Sequence, residues 1–224
     1  MPSADDVITR IHAAFGSNEY PGDRWLQGSS EGCEPSEEVG PFVGQTRWQD
    51  IAPAMLDGHY AALSFFSEAG FRFFLPAYLV ADLRGQLRTA DPLGHLTGGF
   101  HTGEVELPVG QRTFVQRYGG TTLLNPLRYG AMTMEDYARF RLSIFTREEA
   151  VAIVSYLECK RDHEKVTKLR RPIVAALDGF WRGRAAQAPV AADLQQHLAD
   201  QRAYVDAARF HQETNERRTP GEQE

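Results

Sequence analysis

The sequence lacks any run of about 20 predominantly apolar residues, the length a membrane-crossing helix requires. Its nearest approach is FFSEAGFRFFLPAYLV, Phe65 to Val80, which is broken by Glu68 and Arg72 and followed by Asp82 and Arg84. A membrane is therefore not expected as a partner. The opening MPSADDVITR has no apolar core, so neither a secretory signal nor a transit segment is expected there. Cysteine is scarce: Cys33 and Cys159 stand far apart, in no metal-like or redox-like spacing, and 224 residues can hold a core without a staple. Both are read as reduced thiols, and a cytoplasmic address is the default expectation. Excess positive charge is missing too. Lys and Arg number 24 against 30 Asp and Glu, a formal net charge of −6, so the summed field does not favour nucleic acid. No P-loop, dinucleotide-type glycine fingerprint, H-E-x-x-H or G-x-S-x-G occurs.

What is present reads as a mainly α protein: a compact helical domain with a small β-hairpin insertion and a C-terminal helix. Ser3 can cap a first helix whose Val7, Ile11, Ala14 and Phe15 share a face. Residues 18–47 read as loop with one short helix after Pro35, and Trp48 to Leu56 reads as another short helix. Ser67 caps the aromatic stretch, with Phe66 and Phe71 at hydrophobic-staple spacing. Phe71, Phe74, Leu75, Tyr78, Leu79 and Leu83 then follow one helical face, and Phe73, Ala77, Val80 and Ala81 make the opposite side apolar as well. Such a helix belongs in the core, with a kink or break expected at Pro76 and an end near Gly85. Thr146 and Glu149 form a capping box for a helix over 147–160. Pro172 predicts a break near Arg171 and a new helix to about Ala186. A hinge at Gln187 to Pro189 precedes a helix carrying Leu194, Leu198, Val205 and Ala208.

The run WQDIAPAMLDGHYAALSFFSEAGFRFFLPAYLVADL, Trp48 to Leu83, resembles the bacterial domain of unknown function 6714 family. In that family a tryptophan-bearing short helix leads into an "ALSF…EAFR…LPAYL" block. Arg139 to Glu158 resembles its later helix more weakly, with Glu149 where glutamine is common. The resemblance implies no activity.

From Asp91 to Gly130 the character changes: eight glycines and three prolines interrupt any helix. Two extended stretches, Glu104 to Leu107 and Thr113 to Tyr118, can pair as a hairpin through Pro108 to Arg112. The organisation that follows is a single helical domain over 1–186 with an insertion at about 92–130, a C-terminal helix over 187–213 and a disordered tail over 214–224.

Candidate chemistry is sparse. His95, His101 and Glu104, with His59, are metal-ligand types in no standard spacing, so neither a metal nor a cofactor is expected. Asp57 and His59 near Ser64 or Ser67 contain the residue types of a hydrolytic triad, but Ser67 is better explained as a cap. Lys160 to Arg171, KRDHEKVTKLRR, reads as a solvated face with internal ion pairs. Arg72, on an otherwise apolar helix, is of a type that binds anions, but it is expected rather to reach solvent or to pair with a carboxylate such as Glu68, four residues before it. Two functions remain. The first is a non-catalytic cytoplasmic protein-binding module, an adaptor or immunity protein, that meets an unknown protein partner through Phe114, Gln116 and Tyr118 on one alternating face. Those aromatics would alternatively dock the hairpin onto the helices. The second is a small hydrolase with its site near His59 or the His95 and His101 pair.

Overall fold

Ser3 opens the first helix as its side chain requires. In this computed structural model, which describes residues 2–28, 33–124 and 130–218, α1 spans Ala4–Phe15. The Ser3 hydroxyl accepts from the Asp6 amide while the Asp6 carboxylate accepts from the Ser3 amide, so two otherwise orphaned donors are satisfied. Val7, Ile8, Ile11 and Phe15 turn inward. Helix α2 (Glu34–Val39) follows Cys33 with Pro35 in its first turn, where a missing amide hydrogen is harmless. Trp48 to Leu56 is not one helix. A 3-10 turn at Trp48–Asp50 gives way to extended backbone, and α3 (Pro53–Gly58) starts at Pro53. The proline ring drives Ala52 out of the helical region, and its ψ is 136°.

After the short α4 (Ala62–Phe65), α5 (Glu68–Leu83) forms the middle of the core. Every residue from Glu68 to Ala81 except Arg72 is buried, which is why its apolar positions cover the whole circumference. The Ser67 hydroxyl accepts from the Gly70 amide at 2.9 Å and caps the helix. The helix does not break at Pro76 but runs through it. Phe66, expected against Phe71, has its ring stacked on Phe74 at 5.0 Å, and Phe42 meets both edge-on. Helix α1 lies against α5 and against α8 (Arg147–His163). The Thr146 and Glu149 capping box of α8 is present as predicted.

Within the glycine-rich stretch, the structure adds α6 (Pro92–Thr97), with Asp91 accepting from the Gly94 amide and Pro92 at the first helical position. Two antiparallel pairs follow, β1 (Thr102–Val109) with β2 (Arg112–Gly119), and β3 (Leu123–Leu124) with β4 (Met132–Thr133). The latter pair leads into α7 (Met134–Arg141).

The expected break near Arg171 is absent. Helix α9 (Thr167–Ala176) has already begun at Thr167, continues through a π turn at Leu177–Trp181 and passes into α10 (Arg182–Gln187). Pro172 is tolerated there because the carbonyl that its ring releases belongs to Lys168, an exposed residue that water can reach. The π turn seats Trp181 in the core, its indole nitrogen donating to the Leu96 carbonyl at 2.9 Å. Helix α11 (Gln195–Arg218) buries Leu194 and Val205 at its start and along its inner side, with Leu198 half-buried; the side chain of Ala208 lies outside the described residues. Two polar contacts fasten α11 to the first turn of α5: buried Gln201 accepts from the Ala69 amide, and the His197 Nε2 meets the Glu68 carboxylate at 2.8 Å. The helix reaches Arg218, past residue 214 where the sequence predicts a disordered tail, and residues 219–224 lie outside the described residues.

Candidate functional site

Strands β1 and β2 form a two-stranded ribbon that is longer than the sequence predicts, because Pro108 and Arg112 are strand residues rather than loop. Thr113 pairs with Pro108 and Arg112 with Val109, leaving a two-residue turn of Gly110 and Gln111. Gly110 has φ of 62° and Gln111 is not in the left-handed region, the backbone pattern of a type II′ turn, whose twist matches that of the strands. Pro108 costs no ladder bond where both strands are edges. At the base of the ribbon Gly119 has φ of 94°, and a Cβ there would stand 2.0 Å from the His101 carbonyl oxygen. The Gly120 amide donates to that oxygen, and the amides of Met134 and Glu135 donate to the carbonyls of Thr122 and Gly120, so the start of α7 holds the foot of the ribbon.

Directly opposed residues of a ribbon share a face. Val105 opposes Gln116 and Leu107 opposes Phe114, while Val109 and Tyr118 extend the same face at its two ends. Phe114, Gln116 and Tyr118 therefore do stand together, as the alternation predicts, and three aliphatic residues of β1 join them. The Tyr118 ring covers Gly103, where a Cβ would meet it at 2.4 Å. The other face carries a Glu104 to Arg117 ion pair at 2.9 Å, with Glu106, Thr113 and Val115. Nearly all of this surface meets solvent: Phe114 is 52% exposed, Val109 61% and Tyr118 43%. The aromatic residues thus do not dock the ribbon onto the helices. The signal for the three aliphatic positions was in the sequence, since Val105, Leu107 and Val109 alternate as strictly as their partners.

The histidines do not assemble. His95 lies against the Phe71 ring, and burial, with Arg141 nearby, pushes its imidazole down to about 4. The His59 ring meets Phe42 edge-on, and its carbonyl accepts from Tyr78. Among the described residues no three His, Cys, Asp or Glu side chains come together as a metal site would require. Nor do the hydrolytic types meet. One oxygen of Asp57 accepts from three successive amides, Arg88, Thr89 and Ala90, at 2.7 to 3.0 Å, and these bonds hold its carboxyl below the usual range. The Ser67 hydroxyl is already used twice, donating to the Trp25 carbonyl and accepting from Gly70. Among the described residues no hydrogen bond links Asp57, His59, Ser64 and Ser67. Cys33 is exposed and Cys159 buried, both as free thiols; burial raises the Cys159 thiol above its ordinary value. In the basic run, Lys160 pairs with Asp82 and Arg161 with Asp162.

Arg72 departs from its expected partner. Its Nε lies 3.0 and 2.9 Å from the two oxygens of Glu149, which is 1% exposed and also accepts from Asn18 at 2.6 Å. Glu68 is engaged by His197 instead. Spacing along one helix suggested Glu68, but the partner lies 77 residues away in the cap of α8.

Residues 3–98 match the family of unknown function DUF6714, a span that contains Trp48 to Leu83 and ends before the ribbon. The weaker block, Arg139 to Glu158, lies outside the match. No curated protein and no solved structure matches the chain. Among the described residues no helix is long and apolar enough to cross a membrane.

Proposed function

We propose that the protein is a non-catalytic, cytoplasmic protein-binding module of the adaptor or immunity type, and that the ribbon Thr102–Gly119 is its contact element. One observation carries this reading: the ribbon gathers Val105, Leu107, Val109, Phe114 and Tyr118 on one solvent-facing side. An aromatic and aliphatic face of this kind, left open to solvent, is what a protein partner buries. Phe and Tyr contribute large contact area for few frozen torsions. The hydrolase alternative near His59 or His95 and His101 draws less support, because Ser67 and Asp57 are held in hydrogen bonds that shape the fold and His95 lies against the Phe71 ring.

The test compares the wild-type chain with a variant combining Leu107→Ser, Phe114→Ser and Tyr118→Ser. The expected result is loss of a saturable partner identified by cross-linking, with the melting temperature unchanged. Equal capture by both chains, or collapse of the variant, refutes the reading. Sedimentation of the wild type supplies the other check: self-association abolished by the same substitutions would make a second copy the partner in place of a different protein.

A further inference from the structure

A cleft of about 330 Å³ lies between the segment after α1, the first turns of α5 and the start of α11, and no residue of the ribbon lines it. Its chemistry centres on Arg72. A guanidinium carries five N–H donors in a planar fork. Arg72 uses its Nε on Glu149, and its two terminal nitrogens have no hydrogen-bond partner among the described residues. The side chain is 13% exposed, and it opens onto this cleft. Terminal donors that face the cleft and its water, on a guanidinium held rigidly by a carboxylate behind it, are a preorganised half of a bidentate anion contact.

The rest of the lining narrows the ligand. Phe73 and Leu198 give one apolar wall. Arg202, whose guanidinium sits 5.0 Å over the Trp25 ring, adds a second cation, and Glu19 adds an acid at the rim. With Glu149 behind Arg72, the two cations stand against two carboxylates, so the cleft is close to neutral and a second negative charge on the ligand gains no net attraction. The volume is at the lower limit for a ligand pocket. We propose that this cleft binds a small monocarboxylate with an apolar body, its carboxylate on the outer edge of Arg72 and its hydrocarbon against Phe73 and Leu198.

The probes are isobutyrate, its neutral isostere isobutyramide, and inorganic phosphate, titrated into the full chain at constant ionic strength and followed by the Arg72 Nε–H resonance. Isobutyrate is expected to shift that resonance saturably, with isobutyramide and phosphate each at least about tenfold weaker, the loss of one charge-assisted contact. Two variants spare the Arg72 to Glu149 pair. Ala191→Trp fills the mouth and Arg202→Gln removes the second cation; each is expected to weaken isobutyrate about tenfold or more without lowering the melting temperature. Absence of saturation, amide or phosphate binding as tight as isobutyrate, or unchanged affinity in both variants would overturn the proposal.

Discussion

Replacing Arg72 by Met isolates a carboxylate that the fold has buried. Glu149 is 1% exposed, and in the native chain it accepts from Arg72 through both oxygens, from Asn18 and from the Thr146 amide. After Arg72→Met only the two neutral donors remain. Breaking one side of a buried pair costs about 3–5 kcal/mol. Because Arg72 borders a cleft that water can enter, the expected value is the lower end, about 3 kcal/mol, a fall of roughly 6–12 °C in melting temperature for a chain of this size. Glu149→Gln keeps an acceptor for the Thr146 amide and leaves a guanidinium whose outer edge borders the cleft, so about 1–3 kcal/mol is expected. The double variant should lose less than the sum by about 1–3 kcal/mol, since the second change removes a charge that the first had stranded. Urea unfolding of the four proteins measures all three numbers. A loss under about 1 kcal/mol for Arg72→Met, or additivity within about 0.5 kcal/mol, would refute the view that this pair ties α5 to the cap of α8.

Phe74→Ala is expected to cost about 3–5 kcal/mol, because the ring is fully buried among Phe42, Phe66 and Phe73; denaturant unfolding within about 1 kcal/mol of wild type would contradict that packing. His95 has a folded-state value near 4, below its ordinary 6.5, so the unfolded chain binds its proton first on acidification. Its contribution is complete above about pH 6.5 and is lost as pH falls toward 4, up to about 3 kcal/mol for a shift of this size. His95→Gln should flatten the stability profile in that window, and an unchanged slope would assign the loss to other groups, His12 first, whose value is lowered the same way.

Local signals in the sequence were reliable where one side chain decides one backbone position. Ser3, Ser67 and Thr146 cap the helices they were expected to cap, since each hydroxyl stands within reach of an otherwise orphaned amide in the next turn. The all-round apolar pattern of α5 likewise could mean only burial. Proline was misread at Pro53, which broke an expected helix, and at Pro172, which did not break one; at Pro76 the helix runs on without the break that was one of two expected outcomes, because surrounding packing and solvent access decide whether the lost bond matters. Long-range polar pairing was illegible: nothing near Arg72 points to Glu149, and nothing near Ser67 points to Gln201 on α11. The ribbon was half legible. Its alternation is a two-residue pattern that any reader can find, but whether a face meets helices or solvent depends on where the strand leaves the body.

That point of departure matters for how the sequence can change. The ribbon joins the body through its glycine-bearing foot and the start of α7, and its strands share no buried side chains with the helical core. The matched family region stops at residue 98, and the ribbon begins at Thr102. Substitutions along its exposed face therefore change the surface it shows to solvent while leaving the folding free energy of the helices nearly untouched. Under the contact role proposed for the ribbon, stability and recognition sit in separate parts of the chain, and recognition can diversify without the usual trade against foldability.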